Sequence, residues 1–144
     1  MVRPIAFLAA ALGVLALAVP ALAQPAPARI ALDTEQVIGG VAIACTGIGQ
    51  EKRDPRWLAY PIQVEFALPG GAYLANEALS VTDHAGRTLA SVMCEGPWIL
   101  LRPQAPGNYI FKGWVPGAPY GPRGGAFHIP AKGRSRLVLH FPGA

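Results

Sequence analysis

Six side chains that could bind a metal ion or take part in redox chemistry are scattered along the chain: Cys45, His84, Met93, Cys94, His128 and His140. Zinc and copper sites commonly draw two ligands from one short segment, separated by only a few residues. No two of the three histidines have that spacing, and His140 alternates with aliphatic residues. We therefore expect no metal ion and no cofactor, with metal binding left open as an alternative.

Sequence motifs for hydrolytic catalysis do not occur in this chain. A peptidase needs either a nucleophile that is oriented by a base or a bound metal ion that activates water. Neither H-E-x-x-H nor G-x-S-x-G is present. The sequence therefore indicates a protein that is not an enzyme.

The N-terminus has the pattern of a cleaved secretory signal. Arg3 supplies a positive charge, an apolar stretch follows from Ile5 to Val19, and Ala21-Leu22-Ala23 forms a small-x-small cleavage site. We predict a helical signal peptide over residues 1–23, with cleavage after Ala23 and a periplasmic or secreted mature protein. A retained anchor is the alternative, but the apolar stretch is shorter than the roughly 20 residues that span a bilayer. We expect no stable membrane insertion after cleavage.

Cys45 and Cys94 are the only cysteines of the chain. An exported protein meets an oxidising environment, so we predict a single disulfide between them. The bridge would close a loop that the chain-entropy model values at roughly 4 kcal/mol against the unfolded state. A redox-active or metal-binding thiol pair is less favoured because no C-x-x-C spacing is present.

The charge of the chain argues against nucleic-acid binding. Without the leader, eleven basic and eight acidic residues remain, a formal net charge of +3. A nucleic-acid binder concentrates basic groups in one patch, whereas these are dispersed. We therefore expect no nucleic-acid partner.

Aromatic residues are the best candidates for recognition. Trp98 and Tyr109 sit within apolar runs and are predicted to pack in the core. Trp114 and Tyr120 instead lie at and in a Gly/Pro-rich segment, Pro116–Gly125, that predicts a long loop. Together with Arg123 they form the candidate binding surface, and the expected partner is an unknown envelope protein or a glycan.

Short strand patterns separated by turns fill the region that follows the leader. "YPIQVEFAL" alternates apolar and polar residues and predicts a strand with one buried face. Asp83-His84-Ala85-Gly86 predicts a bulged hairpin turn between two β-prone segments. The segments "WILL", "NYIFKGWV" and "SRLVLHF" predict further strands, while "EKRDPRWLA" allows only a turn or two of helix because of Pro55. This pattern is typical of a β-sandwich.

The ordered motifs resemble carboxypeptidase regulatory-like domains, in particular a group of small exported proteobacterial proteins. The residues that carry the resemblance are Gly39, Gly40, Gly47, Ile48, Gly49, Tyr60, Pro61, Phe66, Ala67, Gly71, Tyr73, Leu74, Ala75, Glu95 to Trp98, Leu101, Pro106, Gly107, Tyr109 and Phe111, with the Asp-x-x-Gly-Arg hairpin. The resemblance implies an all-β fold, a single transthyretin/prealbumin-like β-sandwich of about seven strands. It places the sandwich at residues 37–142, after an extended segment at residues 24–36. The long Pro116–Gly125 loop and the cysteine pair depart from the pattern.

The resemblance implies no particular activity. Among transthyretin-like folds, hydroxyisourate hydrolases carry a C-terminal Tyr-Arg-Gly-Ser, whereas this chain ends on Phe141-Pro142-Gly143-Ala144. The resulting prediction is a non-catalytic exported β-sandwich, a binding or accessory protein of the cell envelope with an unknown ligand. The alternative is a periplasmic small-molecule or metal-binding protein.

Overall fold

The computed structural model describes Ala18 and residues 26–143, and all structural statements concern these residues. The predicted signal peptide, residues 1–23, lies outside them apart from Ala18. Ten strands follow in chain order: β1 (Ala28–Ile30), β2 (Thr34–Ile38), β3 (Val41–Thr46), β4 (Ile62–Ala67), β5 (Glu77–Thr82), β6 (Thr88–Cys94), β7 (Trp98–Arg102), β8 (Gly107–Trp114), β9 (Arg123–Ile129) and β10 (Ser135–His140). Two short 3₁₀ helices, Glu51–Arg53 and Pro55–Ala59, lie between β3 and β4. In this part of the chain, no helix has the length and apolar character needed to cross a membrane.

The strands form two five-stranded sheets. Sheet 1 has the order β1-β6-β5-β8-β9, and sheet 2 has the order β10-β4-β7-β3-β2. The pairing is antiparallel except for β1 with β6 and β10 with β4, which are parallel. The two sheets pack through one apolar core, so the predicted all-β sandwich is confirmed.

Four of the ten strands, β1, β2, β3 and β9, were not predicted. β1 and the first three residues of β2 arise from residues 24–36, which the sequence predicts to be an extended segment preceding the domain, so the sheets include residues from Ala28 onward. β9 takes up Arg123 to Gly125, which were predicted to belong to a long loop. Glycines are tolerated in β9 because it is an edge strand with a single neighbour, β8.

The hairpin between β5 and β6 forms as predicted. Gly86 adopts φ +83°, and the pairing of the two strands shifts register between Val81 and Thr82, which marks a bulge. The Asp83 carboxylate accepts hydrogen bonds from the backbone N–H groups of Ala85 (3.0 Å) and Arg87 (2.9 Å). These bonds, the Arg87 amide first, lower the pKa of Asp83.

β4 is buried on both faces, which corrects the prediction of one buried face. Val64 points into the core with its apolar neighbours, but Glu65 on the opposite face is also only 1% exposed. Arg136 of β10 donates to both carboxylate oxygens of Glu65, at 2.7 and 2.5 Å, and Gln63 donates to it at 2.6 Å. Arg136, which is distant in sequence, pairs with Glu65 on this outer face, so the local pattern of β4 alone could not predict the burial.

The predicted disulfide joins the two sheets. Cys45 of β3 and Cys94 of β6 are bonded, with their Cα atoms 5.5 Å apart. Both side chains are fully buried within the core. The bridge therefore links sheet 2 to sheet 1 at their packed faces and fixes how the sheets face one another.

Candidate functional site

A groove of about 960 Å³ follows sheet 1 and the segment after β8. Its lining includes apolar residues such as Ile38, Leu89 and Val115, together with Ser80, Thr82, Thr88, Ser91, Lys112 and Trp114. Tyr120 lines the same groove from the segment between β8 and β9. The volume lies within the ~300–1,000 Å³ range that is typical of ligand sites.

Strand alternation places the hydroxyl side chains on the outer face of sheet 1. In β5, Leu79 and Val81 point into the core, so Ser80 and Thr82 point away from it. Ser80 lies opposite Ser91 of β6 and Lys112 of β8. The floor of the groove is therefore a row of polar side chains across three adjacent strands, with short hydroxyl residues on β6 and β5 and Lys112 on β8.

Two hydroxyls of the floor lie close enough to interact. Thr82 Oγ1 and Thr88 Oγ1 are 3.4 Å apart across the β5–β6 hairpin. Each hydroxyl has one donor hydrogen and two acceptor lone pairs, so this contact leaves capacity for a ligand.

Trp114 and Tyr120 border the floor at the end of β8. Trp114 is half-buried and lies opposite Ala78, which is fully buried. Tyr120 is also half-buried, and its ring centroid is 6.1 Å from that of Phe141, so this ring also contributes to packing. Trp114 is thus the aromatic residue of the groove that is better suited to contact a ligand.

The sequence predicted two of the groove residues and missed the floor. Trp114 and Tyr120 are brought together in one groove, whereas Arg123 lies opposite Gly113 at the start of β9 and is not among the residues that line it. The sequence feature that could have revealed the floor is the set of small polar residues at outward-facing positions of β5 and β6, namely Ser80, Thr82 and Ser91. These residues indicate a shared surface only when the strand order β6-β5-β8 is known.

The other aromatic residues stabilise the fold. Tyr109 is buried in the core, as predicted, and its hydroxyl donates to the Ala105 carbonyl oxygen at 2.7 Å. The prediction that Trp98 packs in the core is wrong, because Ile99 and Leu101 occupy the core face of β7. Trp98 is half-buried, points to the outer face of sheet 2 and packs edge-on against Tyr73, with 6.3 Å between ring centroids. Trp57 packs with Leu100 in a separate small cluster on that same face.

The histidines lie on three different elements. His84 is in the β5–β6 turn, His140 ends β10, and His128 of β9 has its Nδ1 atom 2.9 Å from the Asn108 side-chain oxygen. Across Ala18 and residues 26–143, no group of three or more potential ligands from histidine, cysteine, aspartate and glutamate could hold a metal ion.

Glu77 is a buried carboxyl group that lies outside the groove and, unlike Glu65 and Asp83, has no arginine paired with it among the described residues. Glu77 of β5 is 2% exposed and lies opposite Cys94. It is two positions from the core residue Leu79 on the same strand, so its side chain points to the core face of sheet 1. Burial raises its pKa from 4.5 to about 7. Its Oε2 atom has no hydrogen-bond partner among the described residues. Glu77 is therefore a pH-sensitive element of the core.

A second cavity is smaller and lies at one end of the sandwich. It measures about 280 Å³, below the usual ~300 Å³ lower bound of ligand sites. Its lining includes Leu58, Arg102 and Pro130. The groove on sheet 1 is thus the better candidate site.

Comparison with family models and with curated proteins gave no match to this chain.

Proposed function

We propose that this protein is an exported, non-catalytic β-sandwich of the cell envelope that binds its partner in the groove on sheet 1. The leader pattern of residues 1–23 supports a periplasmic or secreted location, as does the Cys45–Cys94 disulfide. The ordered motifs support kinship with carboxypeptidase regulatory-like domains and their transthyretin-like fold. An exported location and this kinship both fit an adaptor or accessory role.

The observation that carries the proposal is the convergence of recognition residues in one concave site. Trp114 and Tyr120 meet in a groove whose floor is small and polar. Aromatic side chains give a large contact area at low entropic cost, and polar groups at fixed positions select the orientation of a ligand.

The chemistry of the groove supports binding rather than catalysis. Its described lining contains no histidine, cysteine or carboxylate. Ser80 therefore has no histidine or carboxylate base among the described residues that line the groove.

We expect Trp114→Ala to weaken retention of the mature protein, residues 24–144, on envelope material by roughly tenfold or more. The loss follows because a buried aromatic contact at the centre of an interface is typically worth about 2 kcal/mol. Tyr73→Ala is the matched control, since Tyr73 is 48% exposed and does not line the groove. The bound fraction is measured by sedimentation with purified envelopes over a range of protein concentrations.

A second variant separates binding from folding. Trp114 lies opposite buried Ala78, so its removal could also destabilise β8. Lys112→Glu changes an exposed side chain of the groove and should weaken retention while leaving the melting temperature unchanged. Equal retention of the unmodified protein and both groove variants would contradict the proposal.

The volume of the groove favours small-molecule binding as a second candidate function. A site of about 960 Å³ can enclose a ligand of several hundred daltons. Native mass spectrometry of the protein purified from its own periplasm or medium tests this: a bound mass that Trp114→Ala removes would support it.

A further inference from the structure

We infer that the ligand of the groove is a polysaccharide that carries carboxylate groups. The inference rests on the proposed function and names the class of its partner. It follows from the position of the floor within the sheet, the hydrogen-bonding character of its side chains and the charge of its lining.

The floor belongs to interior strands of sheet 1. β5 lies between β6 and β8, and each of these has a further neighbour on its other side. The backbone N–H and C=O groups of the floor are therefore engaged within the sheet. A peptide that binds by adding a strand needs a free sheet edge, so a ligand of this groove must be recognised by side chains.

The side chains of the floor match a ligand rich in hydroxyl groups. The hydroxyls of Ser80, Ser91, Thr82 and Thr88 can each donate and accept. They form two cross-strand pairs, Ser80 with Ser91 and Thr82 with Thr88, on neighbouring strands that lie ~4.8 Å apart. Sugar hydroxyls also donate and accept, and the C–H face of a sugar ring can pack on the Trp114 indole. A wholly apolar ligand would bury these hydroxyls without partners, at a cost of ~1–3 kcal/mol each.

The charge of the lining selects an acidic ligand. Lys112 is exposed, lies opposite Ser80 at the β8 side of the floor, and makes no ion pair within the part of the chain that the structure describes. Among the described residues, no aspartate or glutamate lines the groove. A single cation among hydroxyls is suited to a glycan with spaced carboxylates, whereas binding to a nucleic-acid backbone usually requires several cations together.

Three polymers test the inference by isothermal titration calorimetry. Polygalacturonate supplies sugars with carboxylates, its methyl ester supplies the same sugars without charge, and poly-L-glutamate supplies carboxylates without sugars. We expect polygalacturonate to bind best, the ester to bind about three- to tenfold more weakly, and polyglutamate not to bind. The charge contribution should diminish in high salt because the lysine is exposed.

Two lysine variants sharpen the test. Lys112→Gln should reduce the affinity for polygalacturonate to that for its ester, whereas Lys132→Gln, an equal charge change in the exposed β9–β10 turn, should leave it unaltered. Equal binding of polyglutamate and polygalacturonate would overturn the inference, because the groove would then recognise charge alone. Failure of both sugar polymers would also overturn it. The proposed function would survive that failure if Trp114→Ala still reduces envelope retention, and would fall with it if retention is unchanged.

Discussion

Replacing both Cys45 and Cys94 with alanine lowers the free energy of unfolding by about 4 kcal/mol. The bridge closes a loop between residues 49 positions apart, and opening that loop restores conformational freedom to the unfolded chain. It also removes the only covalent side-chain cross-link between β3 of sheet 2 and β6 of sheet 1 within the described residues. The expected loss is a large part of the ~5–15 kcal/mol that stabilises a typical domain.

Urea denaturation of the double variant and of the unmodified protein measures this difference. The double variant is used because a single replacement would leave a reactive thiol that could form intermolecular disulfides. The unmodified protein with an excess of reductant serves as the control and should unfold at nearly the same urea concentration as the variant. A difference below about 1 kcal/mol would contradict the stabilising role of the bridge.

The free energy of unfolding should fall by up to about 3 kcal/mol between pH 4.5 and pH 7.5. Burial raises the pKa of Glu77 from 4.5 to about 7, so the folded state holds the proton more tightly than the unfolded state. The stabilisation is complete below the unfolded pKa, where both states are protonated. It is lost as pH rises through the folded pKa, because folding must then bury an ionised carboxylate.

Denaturant titrations at pH 4.5, 6 and 7.5 test this dependence. Glu77→Gln keeps the shape of the side chain without its titration and should make stability nearly constant across the range. Glu51→Gln, a change at an exposed position, should retain the full slope. Asp83 does not mask the effect, because its pKa is lowered from 3.8 and its contribution changes below the tested range. A Glu77→Gln variant with an unaltered pH slope would show that another group is responsible.

The sequence correctly predicted the strands and turns that are specified by a short run of consecutive residues. The turn at Asp83 to Gly86 and the strand at Trp98–Arg102 appear as expected, and β4 forms where its alternation predicted a strand, although both of its faces are buried. β9 was mistaken for loop because Gly124 and Gly125 lower strand propensity, although an edge strand beside β8 tolerates them. β2 was missed because four of its five residues are exposed and show no apolar alternation.

The candidate site was only partly predictable from the sequence, because some of its residues become neighbours only through the pairing of strands that are distant in sequence. Trp114 and Tyr120 could be chosen because each is an aromatic residue beside turn-forming glycines and prolines. Ser80, Ser91 and Lys112 become neighbours only through the order β6-β5-β8, in which β8 pairs with a strand distant in sequence. No local pattern encodes that pairing, so the polar floor emerges from tertiary structure alone.

Photocrosslinking in intact cells tests most directly whether the groove is the binding surface. The full chain is produced in its native host with the photoreactive amino acid p-benzoylphenylalanine in place of Ala118, which lines the groove, or in place of Lys132 as the control outside the groove. The account predicts an irradiation-dependent adduct from position 118, none from position 132, and loss of the adduct when Trp114→Ala is added. Adducts of equal yield from both positions, or an adduct from position 132 alone, would contradict the account.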